Sequence, residues 1–220
     1  FDPATGAVYW NQSGEYLKVF ETAAAKTASK DSAEGVVTSN GTKASFGVSF
    51  PENTAATAFT YNAIYPASAW VTNSNTDITK LKVATPDTQS PVETSFDPAA
   101  DLLIALPIET GTQPSELNMQ FKRMVAIGKM TIKALASSDP ITSIVFTAPG
   151  KKVTGRSYIN LSEGTAIEYG YSGQSNDNLT LTFASDRNFT TDKQTYFTCF
   201  PFELTAGDTF TVTIKAGNKT

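Results

Sequence analysis

The chain has 220 residues, of which only 17% are charged, and a formal net charge of −4. It has no histidine and one cysteine, Cys199, which excludes Ser-His-Asp and Cys-His catalysis, histidine-ligated zinc and an intrachain disulfide. The acidic balance leaves no basic footprint for nucleic acid, and no stretch reaches the ~20 apolar residues of a membrane helix.

In chain order, residues 16–20 read as a strand with Leu17 and Val19 inward. Residues 22–40, TAAAKTASKDSAEGVVTSN, are small, polar and aperiodic, and predict a long exposed loop. Residues 44–50 alternate through Phe46, Val48 and Phe50 until Pro51 stops them. Residues 59–65 alternate through Phe59, Tyr61, Ala63 and Tyr65 and stop at Pro66. Residues 81–84 are a short strand, and 86–98, with three prolines, are a loop. The run DLLIAL at 101–106 suits a strand buried on both faces. The connector IETGTQPSE, residues 108–116, is rich in turn formers and marks the best domain boundary.

Residues 117–135 form the longest mainly apolar stretch without proline. Leu117, Met119 and Phe121 hold one parity; Met124, Ala126, Met130, Ile132 and Ala134 hold the other. A strand changes parity only by adding a residue, so a bulge is expected near Lys122–Arg123. A helix through Phe121, Met124, Val125 and Gly128 is the rival. The β-branched Val125, Ile127, Thr131 and Ile132 favour the strand. Further strands are expected at 141–147, 157–161, 166–171, 179–183, 195–200 and 209–215, with a turn at 170–178.

Strands about every ten residues, punctuated by Gly, Pro and Asn, predict an all-β chain of antiparallel sandwiches. The boundary divides it into 1–110 and 111–220. The expected core includes Phe46, Val48, Phe50, Phe59, Tyr61, Leu103, Phe121, Ile132, Phe146, Leu181, Phe210 and Val212. The single Cys199, in TYFTCFPF, reads as a buried small apolar residue.

No catalytic constellation is framed. Asp97 and Asp101 in DPAAD could form an acid pair or part of a calcium site, but no second oxygen-rich loop accompanies them. They read better as turn chemistry and a cap to the next strand. Glu93 with Asp101, or Glu163 with Glu168, could serve a glycosidase, again without a frame. The expectation is no enzyme, no metal and no cofactor. Trp10 and Trp70, with Tyr9, Tyr61 and Tyr65, could stack on sugar or fill the core. The Asn-x-Ser/Thr triplets at Asn11, Asn40, Asn160, Asn178, Asn188 and Asn218 follow from composition and mark surface loops at most.

The last candidate strand, 209–215, is strongly amphipathic, and 216–219 after it read as a hairpin turn. A turn with no return strand predicts an open edge at Thr209, Phe210, Val212 and Ile214. Either a strand of a longer native chain or a strand of a partner would fill it. The abrupt start at Phe1, with no signal peptide, likewise suggests an excised mature piece.

Four stretches together resemble the fimbrillin family of Bacteroidales. YWNQSGEYLKVF (9–20) resembles the family's W-x-x-G-[DE]-x-[IL]-x-V-[YF] entry, with Ser13 as one extra residue between Trp10 and Gly14. FTYNAIYPAS (59–68) resembles F-x-A-x-Y-P-A. TPDTQSPVETSFDPAADLLIA (85–105) resembles P-x-x-Q…D-P-x-A-D-x-L-x-A. MQFKRMVAIGKMTIKAL (119–135) resembles F-x-H-x-[LM], with Arg123 at the histidine position. The resemblance implies two transthyretin-like β-sandwich domains in series, the second truncated at its C-terminal end if the chain is a piece. It also implies secretion as a lipoprotein precursor and a place in or on a pilus at the cell surface. Partners would be other pilus subunits through strand exchange, and a surface receptor or glycan. Asp31-Ser32-Ala33 fits the D-[ST]-[AILVMT] pattern of Bacteroidales O-glycosylation, which makes Ser32 a candidate. The leading expectation is a structural or adhesive pilus component assembling by β-augmentation. The runner-up is a glycan-binding outer-membrane lipoprotein module using Trp10 or Trp70.

Overall fold

The computed structural model describes residues 2, 4–5, 7–10, 13–71, 76–133, 140–171, 173–184 and 191–217. Its strands in chain order are β1 (Lys18–Ala23), β2 (Lys26–Asp31), β3 (Val36–Thr38), β4 (Lys43–Ser45), β5 (Phe59–Tyr65), β6 (Leu81–Thr85), β7 (Thr88–Gln89) and β8 (Leu103–Thr110). They continue with β9 (Phe121–Arg123), β10 (Ala126–Ile132), β11 (Ile141–Thr147), β12 (Thr154–Asn160), β13 (Thr165–Tyr169), β14 (Ser175–Asn176), β15 (Asn178–Thr182), β16 (Lys193–Cys199) and β17 (Thr211–Ala216). The described residues hold no helix beyond three 3₁₀ turns.

The largest sheet has the order β2-β1-β5-β8-β9, all antiparallel. Alternation gives it two apolar faces. Val19, Ala63, Ala105 and Phe121 form a cross-strand row on one face. Ile64 and Ile104 lie in the neighbouring row, on the other face. That second face packs on β6 and β12 through Phe20, Ile64, Ile104, Leu81, Val83 and Ile159, all fully buried. The first face is covered by irregular chain that supplies Trp10, Phe46, Phe50 and Met119. A second sandwich packs the pair β10–β16 on the four-stranded sheet β17-β11-β15-β7. Its core holds Ile132, Ile144, Leu179, Leu181, Phe197 and Cys199.

The parity shift in 117–135 is real, and its cause is a change of sheet. Phe121 and Met119 pack on the first face of the large sheet, Met124 and Val125 in the first sandwich, and Ala126 and Met130 in the second. The chain passes between layers at Met124–Val125, so no bulge is needed at Lys122–Arg123. Ala134 and Leu135 lie outside the described residues.

Pairing crosses residue 110 three times: β8 with β9, β6 with β12, and β7 with β15. Residues 108–110 are the end of β8 rather than a connector. No break in the pairing coincides with the division into 1–110 and 111–220.

Residues 22–40 are not a loop. They hold the end of β1, all of β2 and β3. β1 and β2 are joined by the two residues Ala24 and Ala25, both with positive φ (47° and 60°). This is the backbone of a tight hairpin turn, which asparagine and glycine adopt more readily than alanine. The expected strand at 44–50 is only β4, and the phenylalanines beyond it are a lid of side chains. Of the expected core, Phe59, Tyr61, Ile132 and Leu181 are buried, while Phe46, Phe50, Leu103, Phe121 and Phe146 are half-buried. Val48, Phe210 and Val212 are exposed (40%, 56% and 39%), because each lies where no facing strand covers it.

Candidate functional site

Two places combine uncommon geometry with functional chemistry. The first is the edge of the second sandwich. Among the described residues β17 pairs with β11 alone, from Thr211 opposite Thr147 to Ala216 opposite Ile141. Ile214 reaches the core below, whereas Val212, on the same face, is exposed. Phe210, just ahead of the strand, leans on Phe146 with ring centroids 5.6 Å apart, and Thr209 beside it is exposed. Two facing strands cover four, so the cover runs out here.

The opposite flank is closed by one side chain. Gln89 of β7 is fully buried, donates its amide to the Thr198 carbonyl (2.8 Å) and accepts from the Thr198 N–H (3.0 Å). Its carboxamide pairs with β16 as a peptide unit would. Among the described residues, β17 and β10 keep free edges on the other flank.

The second place is a cavity of about 280 Å³ on the first face of the large sheet. Trp10 forms one wall. Its backbone N–H donates to the Gly41 carbonyl (2.8 Å), and its ring meets Phe46, Tyr65 and Phe121 edge-on at 5.2, 5.3 and 5.6 Å. Gly41 has φ +86°, and a Cβ there would stand 2.9 Å from that of Tyr9, so both conformation and space ask for glycine.

The polar wall holds Glu15, Asp101 and Arg123. Asp101, 3% exposed, receives the Arg123 fork through Nε (2.6 Å) and Nη2 (2.9 Å), and the guanidinium also lies over Phe96. Asp101 is therefore an ion-pair partner and not merely a strand cap. Asp97 does act as turn chemistry, accepting from Ala99 N (3.0 Å) and Ser90 N (2.8 Å). Burial, and then a bond to Glu15, push the Tyr65 hydroxyl far above the ordinary tyrosine range, so it remains a donor.

Trp70, the other tryptophan singled out by sequence, lies across the large sheet from Trp10. Lys18 stands 4.2 Å from its ring centre and also pairs with Asp31 (3.0 Å), above a shallow opening flanked by Tyr16 and Ser68. The two tryptophans do not share a site. Tyr61 instead bonds Glu21 (2.8 Å).

Ser32 is only 7% exposed. Its Oγ accepts from Leu17 N (3.0 Å) and donates to the Ala33 carbonyl (2.7 Å), so the folded chain does not present it for glycosylation. Of the triplets, Asn40 sits in a left-handed turn (φ 54°), and Asn160 and Asn178 bound strands rather than loops. Asn11, Asn188 and Asn218 lie outside the described residues. Glu93 holds Lys193 (2.8 Å) and Glu168 holds Lys152 (3.5 Å). Burial raises the Cys199 thiol to about 11. Among the described residues no three acidic or cysteine side chains gather as a metal site, and no helix is long and apolar enough to cross a membrane.

The sequence singled out Trp10 but not the Asp101–Arg123 pair opposite. Their separation of 22 residues carries no periodic signal. The one available hint was an arginine placed where the apolar alternation of 117–135 changes parity.

No protein-family model matches the chain, and no curated protein matches it. Among solved structures it is similar to a candidate cell adhesion protein from Bacteroides ovatus ATCC 8483. The TM-score is 0.51 at 16% identity, covering 94% of this chain and 77% of that one. At that identity the two share a fold.

Proposed function

We propose that the chain is a structural or adhesive component of a cell-surface pilus, fimbrillin-like, and that it accepts a strand from a neighbouring subunit. The observation that carries this reading is β17: an unpaired edge whose inward face continues, through Val212 and Phe210, past the end of its cover. An added strand would gain main-chain hydrogen bonds along β17 and bury those side chains. Exposed apolar edges are commonly blunted by charge or proline; β17 has no proline, and its one charge, Lys215, lies at the far end from Val212 and Phe210. The similarity to a candidate adhesion protein supports a surface role, and attachment through a lipid anchor at the outer membrane belongs to the same proposal.

The test is polymer formation in a Bacteroidales host. Phe210→Glu with Val212→Lys should abolish surface polymers while shifting the monomer's stability by less than about 1 kcal/mol, since both positions are exposed. Polymers that persist in the double variant would overturn the reading. A second reading, a glycan-binding surface module, is supported by the cavity beside Trp10.

A further inference from the structure

We infer that the Trp10 cavity is a site for one neutral pyranose ring, the terminal residue of a glycan. The inference deepens the glycan-binding reading and is independent of the β17 edge.

The size is set first. A space of about 280 Å³ holds one ring-sized ligand and not a chain of them. The walls come next. Trp10, Tyr65, Phe96 and Phe121 supply flat apolar surface, against which the C–H faces of a sugar pack. Asp101 and Glu15, both 3% exposed, supply acceptors in the same space.

Charge then narrows the chemistry. Asp101 and Arg123 neutralise each other, so the site has no uncompensated cation to select an acidic ligand. An apolar ligand would strip water from buried charged groups without replacing their hydrogen bonds. A ligand of hydroxyl groups satisfies both sides. A carboxylate has about four lone-pair positions, and the Arg123 fork occupies one on each Asp101 oxygen. The remaining positions accept from hydroxyls, and the second Arg123 amino group donates to one. The bidentate pair also fixes both groups in place before binding, which lowers the cost of ordering them.

Rim substitutions test this without touching that pair. Ser95 and Tyr9 line the mouth; Tyr9 is 38% exposed. Ser95→Trp should fill the space, and Tyr9→Ser should remove part of one wall. The probes are methyl glycosides of glucose, galactose, mannose, fucose and N-acetylglucosamine, read by saturation-transfer NMR and calorimetry, with a polysaccharide array alongside. The expected result is millimolar binding of at least one glycoside. Ser95→Trp should weaken it at least about tenfold and Tyr9→Ser several-fold, with melting temperatures unchanged. Binding that survives Ser95→Trp in a folded protein overturns the site. Binding of polysaccharides but of no monosaccharide overturns the single-ring inference and leaves the glycan reading standing. Binding of neither overturns both.

Discussion

Gly128 lies directly beneath the Phe197 ring, and a Cβ there would enter it. Glycine in this strand therefore serves close packing and not an unusual backbone angle. Gly128→Ala should cost about 1–3 kcal/mol, as overpacking of a tight core does, and denaturant unfolding would show it. Arg123 has a similar structural weight. Arg123→Met would leave Asp101 buried without its counter-charge, at a cost of about 2–4 kcal/mol; adding Asp101→Leu should return much of that. Asp208 illustrates the same attraction at the surface. Its bond to Lys151 (2.7 Å), aided by Thr205, holds its carboxyl near about 2, below the ordinary 3.8. A folded value below the ordinary one means the interaction stabilises the fold above pH 3.8. That contribution fades as the pH falls through about 2. The NMR titration of Asp208 should therefore centre near 2 and move up toward the ordinary range in Lys151→Met.

At the level of elements, strands built on large apolar side chains were legible and strands without them were not. β5 was readable to the residue from the alternation of Phe59, Tyr61 and Tyr65, and β11 from its β-branched and aromatic run, ITSIVFT. β2, KTASKD, is wet along most of its length and is held by main-chain pairing to β1, so no apolar period announces it. The reverse error came at 44–50, where alternation was real but the phenylalanines cover a sheet instead of joining one. The same limit applies to the candidate sites. Trp10 stands out as a residue type, whereas its cavity is made by chain segments that only folding brings together. The Ala24–Ala25 turn offers a direct test of local strain. Ala24→Asn with Ala25→Gly supplies residues that tolerate positive φ and should stabilise the hairpin by about 1 kcal/mol, measurable by thermal unfolding.

Across the whole molecule, the two ends of the sequence are interleaved. Residues 1–110 contain β6 and β8 but not β12 or β9, their sheet partners. Leu81, Val83 and Ile104 would then lose much of their cover. A fragment of 1–110 should therefore fail to give cooperative unfolding, as read by circular dichroism, whereas the whole chain should. The parity change in 117–135 could be read from sequence, but its meaning depended on a second sandwich that only the assembled sheets reveal. Gln89 carries a last consequence, concerning valence. With one flank closed by the Gln89 amide, the free edges of the second sandwich among the described residues, β17 and β10, lie on one side, which is where an incoming strand finds its seat. Copies joined through that seat would form unbranched rows with a fixed direction, each molecule receiving at one side only. Gln89→Leu would unseal the other flank, leave the Thr198 backbone without its partner, and turn an ordered row into branched aggregate.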